Sequence, residues 1–466
     1  MRDTGMVRIT SFEIFAVDLP FRRIVAHSAA SRSVSDSVFL KCATDTGAVG
    51  FGECLPRTYV TGESRDGVYV LLRDRVLPKL IGMEFESYAA VKAFLEDCDG
   101  KAPSGYLHPE ILQAAAWCAV DLALLDAFGR AFDLPVASGS SGAEKGGSGQ
   151  YSSTKSLDSI SLKNGSDEAI GARPGFEGEK SEPRRAARTR SDPPVRGRAK
   201  EMFPPQSRSD LPFSVQPPVS SGVRCSGVLA STSRRALTKS SLLFRLYGLR
   251  QVKMKVGWEG DLAAIRRVRR VLGDGVDLRV DANMAWDVEQ ASRAMSELAG
   301  LGIRCFEQPV RADALDDMSW LVRETGLAVM ADESFSDRRS LERLIDRKAC
   351  TAVNVRISKC GGLVAALRRC HEARQAGLLI QVGCQVGESS LLSAAQLSLL
   401  AQGPQVAYVE GCFGRHLLRE DVAEPVLQFG YGGRPPRLPP GPGLGVRVDE
   451  DRLRRWTIYC DRIGER

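Results

Sequence analysis

Three carboxylates recur at nearly equal spacing in the second half of the chain: Asp281, Glu307 and Asp332, 26 and 25 residues apart. Each ends a short β-rich run, in DLRVDAN, RCFEQPV and LAVMADES. That spacing is about one strand–helix unit, so the three acids are expected at one level. Like charges so close raise one another's pKa. A hard divalent cation resolves the repulsion, and an all-oxygen set with open positions suits Mg²⁺.

Two lysines, Lys253 and Lys255 in QVKMKVG, stand two apart and so share one face of a strand. Their Cα atoms are expected about 6.6 Å apart. At an effective dielectric of about 20, two ammonium charges at that distance repel by about 2.5 kcal/mol. Repulsion and burial both lower a lysine's pKa, which makes one member a usable general base near neutral pH. Lys359, in AVNVRISKCGG, comes from the far side and is placed as a second base, an acid or a positive partner for an enolate. Together these residues describe one reaction class. A substrate carboxylate binds the metal, a lysine removes the proton α to it, and the metal stabilises the resulting enediolate.

The elements that must position these residues are legible as a pattern. From about residue 223 a strand–helix alternation begins, with candidate strands VRCSGVL, QVKMKVG, DLRVDAN, RCFEQPV, LAVMADES, AVNVRIS, LIQVGCQ and AYVEGC. Eight alternations point to a closed parallel barrel. An open doubly wound sheet is the alternative, but no G-x-G-x-x-G opens a helix and no P-loop is present. Active sites of such barrels form where the strands end. Glu333 stands there beside Asp332, and Asn283, Glu388 and Glu410 become candidate substrate contacts.

Ahead of the barrel, residues 7 to 60 read as short strands and 65 to 134 as helices, an α+β arrangement. The apolar stretch ILQAAAWCAVDLALLDAFGRAF carries Asp121 and Asp126 and reads as a buried helix rather than a membrane span. Residues 138 to 222 are rich in Ser, Gly, Pro and Arg with little apolar periodicity, so they read as a disordered insert. The tail GLGVRVDEDRLRRW reads as a strand and turn that return to the front domain.

Composition sets the outer bounds. The 466 residues are 43% hydrophobic and 26% charged, which supports a sizeable core. A net charge of +7 over this length is mild and argues neither for nucleic acid nor for membrane binding. Twelve cysteines are scattered without a C-x-x-C pair, so neither a zinc ribbon nor a disulfide framework is expected. Mostly buried thiols and the lack of a leader-like start place the chain in the cytoplasm.

The ordered motifs QVKMKVG, RVDAN, FEQPV, ADES and ISKCGG resemble the enolase superfamily, specifically its muconate-lactonizing-enzyme subgroup. VEGCFGRHLLREDV and PGPGLGV are similar to the ends of cycloisomerases in that subgroup. The resemblance spans about 7 to 137 and 223 to 450. It implies a modified (β/α)7β TIM-like barrel, 223–430, beneath an α+β capping domain formed by residues 1–137 and the C-terminal tail, 431–466. It implies Mg²⁺, with Mn²⁺ as a substitute, held by Asp281, Glu307 and Asp332. Lys255 and Lys359 would be the acid/base pair, with Lys253 tuning Lys255. Two capping loops, about 19 to 32 and 54 to 64, would set specificity, with Arg57, Tyr59 and Thr61 as candidate contacts.

The mandelate-racemase branch would need a histidine near strand seven, where none of the four falls. VEGC stands where dipeptide epimerases carry Asp-x-Asp, leaving Glu410 to face the substrate. The expected product is a racemised, epimerised or cycloisomerised small carboxylate, with dehydration also open, from a self-associating enzyme. The alternative is a catalytically silent homologue whose insert recruits a partner.

Overall fold

Alternating apolar residues make VRITSFEIFAV a long strand, β1 (Val7–Val17), with Ile9, Phe12 and Ile14 buried. It is followed by β2 (Pro20–His27), β3 (Ala30–Val34), β4 (Ser37–Thr44) and β5 (Val49–Cys54). Then come α1 (Arg65–Leu71), a π-helical turn, α2 (Leu77–Leu80), β6 (Glu84–Phe85), α3 (Tyr88–Cys98) and α4 (Ala114–Ala131). This computed structural model describes residues 5–27, 30–108, 110–137, 222–231, 233–258 and 260–465. The insert expected over 138–222 lies, but for Gly222, outside the described residues.

The front sheet is antiparallel and closed over by α4, which is buried along nearly its whole length. The helix lies directly on bare backbone. A Cβ at Gly52 of β5 would sit 1.9 Å from the Ala119 carbonyl oxygen, so no larger residue fits there. The two acids inside this apolar helix are docking pins. Asp126 accepts from the N–H groups of Phe51 and Leu444, at 2.9 and 2.8 Å. Asp121 accepts from the Leu363 N–H at 2.7 Å, and burial pushes its carboxyl up to about 7.

The barrel runs β7 (Gly227–Leu229), α5 (Arg234–Leu246), β8 (Gln251–Lys255), α6 (Asp261–Leu272), β9 (Asp277–Asp281) and α7 (Val288–Ala299). It continues through β10 (Cys305–Glu307), α8 (Leu315–Thr325), β11 (Ala328–Ala331), α9 (Arg338–Asp346), β12 (Ala352–Val355), α10 (Ile357–Cys360) and α11 (Leu363–Gln375). β13 (Leu379–Val382), α12 (Ser390–Ala401) and β14 (Tyr408–Val409) complete it. The eight strands are parallel and neighbour one another in sequence order. The ring closes where Ser226 N–H donates to the Val409 carbonyl at 2.8 Å. The eight alternations expected from the sequence are therefore the eight strands of a TIM-like barrel.

The tail differs from expectation. β15 (Ala423–Glu424) and β16 (Arg447–Val448) form a small ribbon, and a helix, α13 (Glu450–Arg455), stands where a turn was expected. Asp449 caps it by accepting from the Arg452 N–H at 3.0 Å. The last strand, β17 (Thr457–Gly464), pairs antiparallel with β1, so the C-terminal tail completes the capping sheet. All twelve cysteines are free thiols, and ten of them are buried. Among the described residues no helix is long and apolar enough to cross a membrane.

Candidate active site

The parallel register levels two of the acids, and Asp332 lies two residues beyond Met330, the residue that Glu307 faces on β11. Glu307 pairs with Asp281 across β9 and β10, and Lys255 pairs with Asp281 across β8 and β9. Asp332 follows β11 directly, and all three acids are fully buried. They do not lie bare against one another, because cations interleave them. Lys253 Nζ lies 3.1 Å from Asp281, 3.2 Å from Glu307 and 2.8 Å from Glu410. Lys255 Nζ donates to Asp281 Oδ2 and Asn283 Oδ1, each at 2.7 Å. Arg356 donates to Asp332 and stands 3.6 Å from Glu307. Among the described residues, no three His, Cys, Asp or Glu side chains form a ready-made metal cage.

This alters the expected electrostatics of the lysine pair. Burial disfavours charge on Lys253, but the carboxylates of Glu307, Glu410 and Asp281 outweigh it and hold the ammonium well above its usual range. Lys253 is thus a fixed cation, not a base activated by its neighbour. Burial likewise opposes ionisation of Asp281, yet Lys255 and Lys253 hold it below the usual carboxylate range. Burial and the nearby Asp281 push Glu307 up. Burial, then Asp332 and Asp281, push Glu333 up to about 8.

A cavity of about 300 Å³ opens above this cluster. Its floor is Lys253, Lys255, Asn283, Arg356, Gln385 and Glu410. Its walls are largely apolar and include Ile24 and Val25 of the β2–β3 hairpin, Leu229, Leu237, Phe413 and Leu417. Arg23, Tyr59 and His416 line it too. The hairpin is tied to the barrel where Arg22 N–H donates to the Leu417 carbonyl at 2.8 Å and Arg419 Nε to the Phe21 carbonyl at 3.0 Å. Of the expected substrate contacts, Asn283, Glu410 and Tyr59 reach the cavity. Asn283 takes a left-handed backbone, φ 45°, and bridges Lys255 to Glu333 Oε1, the latter at 3.0 Å.

Four other expected residues, Arg57, Thr61, Glu388 and Lys359, do not line it. Arg57 is a buried strut: its guanidinium binds Asp36 and the carbonyls of Ser35, Pro56 and Val386, at 2.7–3.0 Å. Four acceptors on one guanidinium leave it committed to joining the capping loop to the barrel. Glu388 turns back to accept from the Gln385 N–H at 2.6 Å. Lys359 sits on α10, beyond the end of β12, with its side chain fully enclosed. Its Nζ donates to Asp332 Oδ1, the Asp332 carbonyl and the Asn354 carbonyl, each at 2.8 Å, over the Phe335 ring. Three acceptors satisfy all three N–H donors of an ammonium.

Arg356 is the residue that the sequence reading passed over. It follows β12, two residues after Asn354, and so shares that residue's inward face. The same two-residue spacing that marked Lys253 and Lys255 marks it.

The donor chemistry fits a hard dication. Three buried carboxylates end three adjacent strands, and Glu333 Oε2 beside them is buried with no hydrogen-bond partner. Arg356 Nε, Gln385 Nε2 and Asn354 Oδ1 are likewise buried and unpartnered. Buried polar atoms are rarely left so, and two of these residues, Arg356 and Gln385, line the cavity floor.

Residues 239–452 match the family model for the enolase C-terminal domain-like fold, and residues 9–138 match that for the mandelate racemase/muconate lactonizing enzyme N-terminal domain. The chain belongs to the mandelate racemase/muconate lactonizing enzyme family of the enolase superfamily. It is 26% identical over 460 residues to an N-succinyl-L-Arg/Lys racemase of Bacillus cereus, covering 98% of this chain and 100% of that one. It is 30% identical over 208 residues to a chloromuconate cycloisomerase of Pseudomonas putida, covering 44% of this chain and 55% of that one. A dipeptide epimerase from Cytophaga hutchinsonii, solved with Mg and D-Ala-L-Val, shares the fold with a TM-score of 0.71 and 20% identity, over 98% of this chain and 99% of that one.

Proposed function

We propose that the chain is a Mg²⁺-dependent isomerase that removes the proton α to a substrate carboxylate through an enediolate, in racemisation, epimerisation or cycloisomerisation. The observation that carries this reading is the trio of buried acids at the ends of adjacent strands, Asp281 and Glu307 in register and Asp332 two residues further on, with the Lys255 amine bonded to Asp281 and lining the cavity floor. Asp281, Glu307 and Asp332 would hold the metal. When bound, Mg²⁺ would supply the positive charge that offsets the charge developing on the substrate carboxylate. Lys255 is the proton-transferring residue. Asn283 and Asp281 aim its Nζ, and Lys253 holds Asp281, Glu307 and Glu410 in place.

The lining also bears on the substrate. Among the described residues Glu410 is the one acid in the cavity wall, and Lys253 and Arg279 already hold it, at 2.8 and 2.6 Å. A free ammonium on the substrate would find no unpaired acid there. N-acylated amino acids and unsaturated dicarboxylates suit the site better than dipeptides with a free amine. The relatives named for an N-succinyl amino acid and for chloromuconate agree with that preference, and the dipeptide epimerase does not.

The test is deuterium incorporation at the substrate α-carbon in D2O with Mg²⁺, across N-acyl amino acids, dipeptides and muconates. Lys255→Ala is expected to lower the rate by about 10²–10⁴-fold. Undiminished incorporation in that variant removes Lys255 from the mechanism.

A further inference from the structure

We propose that the site carries one proton-transferring amine and not two: Lys255 serves one face of the α-carbon, and from the opposite wall Arg356 holds a substrate oxyanion. The inference rests on the proton-abstraction reading above and deepens it by naming the stereochemical outcome.

The barrel geometry supplies the opposition. Lys255 ends β8 and Arg356 follows β12, four strands on in a ring of eight. Both line the cavity floor. An amine can accept a proton. A guanidinium presents five N–H donors and has no acceptor. Arg356 spends part of its fork on Asp332 and on Gln385 Oε1, the latter at 3.0 Å. Its Nε remains buried and unpartnered, and so does Nε2 of the adjacent Gln385. Arg356 and Gln385 are bonded to each other and each keeps an unmet N–H donor, one of them cationic, which is the chemistry of an oxyanion site.

The other amine on that side is not available. Lys359 is enclosed, meets three acceptors and does not line the cavity. Lys253 stands on the same strand and the same face as Lys255, so it offers no second direction of attack.

One amine suits reactions that begin and end on one face. In cycloisomerisation of an unsaturated dicarboxylate, one carboxylate oxygen bonds to the carbon β to the other carboxylate. The alkene π pair moves into that second carboxylate as an enediolate. The enediolate pair then forms the new C–H bond by taking the proton of the Lys255 ammonium, which becomes an amine. The reverse reaction returns the proton to that amine. Atoms and electrons balance within the substrate and Lys255, with no co-reactant. Inversion at an α-carbon needs a proton donor on the far face, and Arg356 is a poor one.

The experiment uses the full chain with Mg²⁺ in D2O and three probes: N-succinyl-L-phenylalanine, its D enantiomer, and cis,cis-muconate. Wild type is expected to exchange the α-proton of one enantiomer at least 100-fold faster than the other, with retention of configuration. Muconate is expected to give lactone labelled on one face. Arg356→Lys is expected to bring in exchange of the second enantiomer or inversion, a change that a purely structural role would not produce. Lys359→Gln is expected to leave the preference between enantiomers as it is. Exchange of both enantiomers within tenfold, with inversion, overturns the proposal. So does a folded Lys359→Gln protein that loses one enantiomer selectively. No label in any probe, with no muconate turnover, overturns the parent reading and the inference with it.

Discussion

Replacing Lys253 by Met tests what holds the carboxylate cluster together. The ammonium stands 2.8–3.2 Å from Glu410, Asp281 and Glu307. At an effective dielectric of about 20, each such contact is worth about 5–6 kcal/mol before desolvation is counted. Desolvation of a buried cation offsets much of that sum, and the cost of leaving buried carboxylates unpaired sets the net effect at about 3–5 kcal/mol. The assay is denaturant unfolding at neutral pH, read as a midpoint shift at unchanged slope. A second variant isolates the charge effect. Glu307 keeps Asn354 Nδ2 at 2.8 Å and Gln381 Nε2 at 3.2 Å as donors, so Glu307→Gln retains an acceptor for at least one of them. Lys253→Met with Glu307→Gln should be about 1–3 kcal/mol more stable than the sum of the single changes. A Lys253→Met protein within 1 kcal/mol of wild type, or strict additivity in the double variant, would refute the reasoning.

Further outcomes follow from other contacts. Glu53 accepts from Ser389 N–H at 3.1 Å and Ser389 Oγ at 2.6 Å, and burial pushes its carboxyl up from 4.5 to about 8. Its folded pKa is above its unfolded one, so its contribution is full below about pH 4.5 and is lost as pH rises through about 8. Wild-type stability should fall over that window by up to about 1.4 kcal/mol per pH unit from this group, and Glu53→Gln should flatten the profile. Gly362→Ala should cost at least ~2 kcal/mol: its φ is +122° and the new Cβ would lie 2.3 Å from Asp121 Cγ; the unfolding midpoint checks it. Arg57→Met should cost about 2–4 kcal/mol and raise KM more than it lowers kcat, because the strut positions the capping loop without touching the cavity; steady-state kinetics separate the two.

The barrel was legible because its signals are local and periodic. Each of DLRVDAN, RCFEQPV and LAVMADES carries its strand and its acid together, and parallel neighbours in sequence order put those acids at the same end of the barrel. What stayed hidden depends on partners far along the chain. Arg57 reads as a loop arginine free for substrate, but its acceptor on Val386 lies 329 residues away. The charge state of Lys253 could not be read from Lys255 alone, since Glu410 reaches it from the last barrel strand. Lys359 and Arg356 stand three residues apart in one motif. The strand period of two favours Arg356 as the inward residue, whereas Lys359 belongs to a helical turn that starts at Ile357.

Crystals grown with Mn²⁺ in place of Mg²⁺ and measured at the manganese edge test the central claim most directly. The account predicts one anomalous peak per chain within coordination distance of Asp281, Glu307 and Asp332, with Arg356 drawn off Asp332. A map with no peak among those three carboxylates, or with the metal held elsewhere, would contradict it.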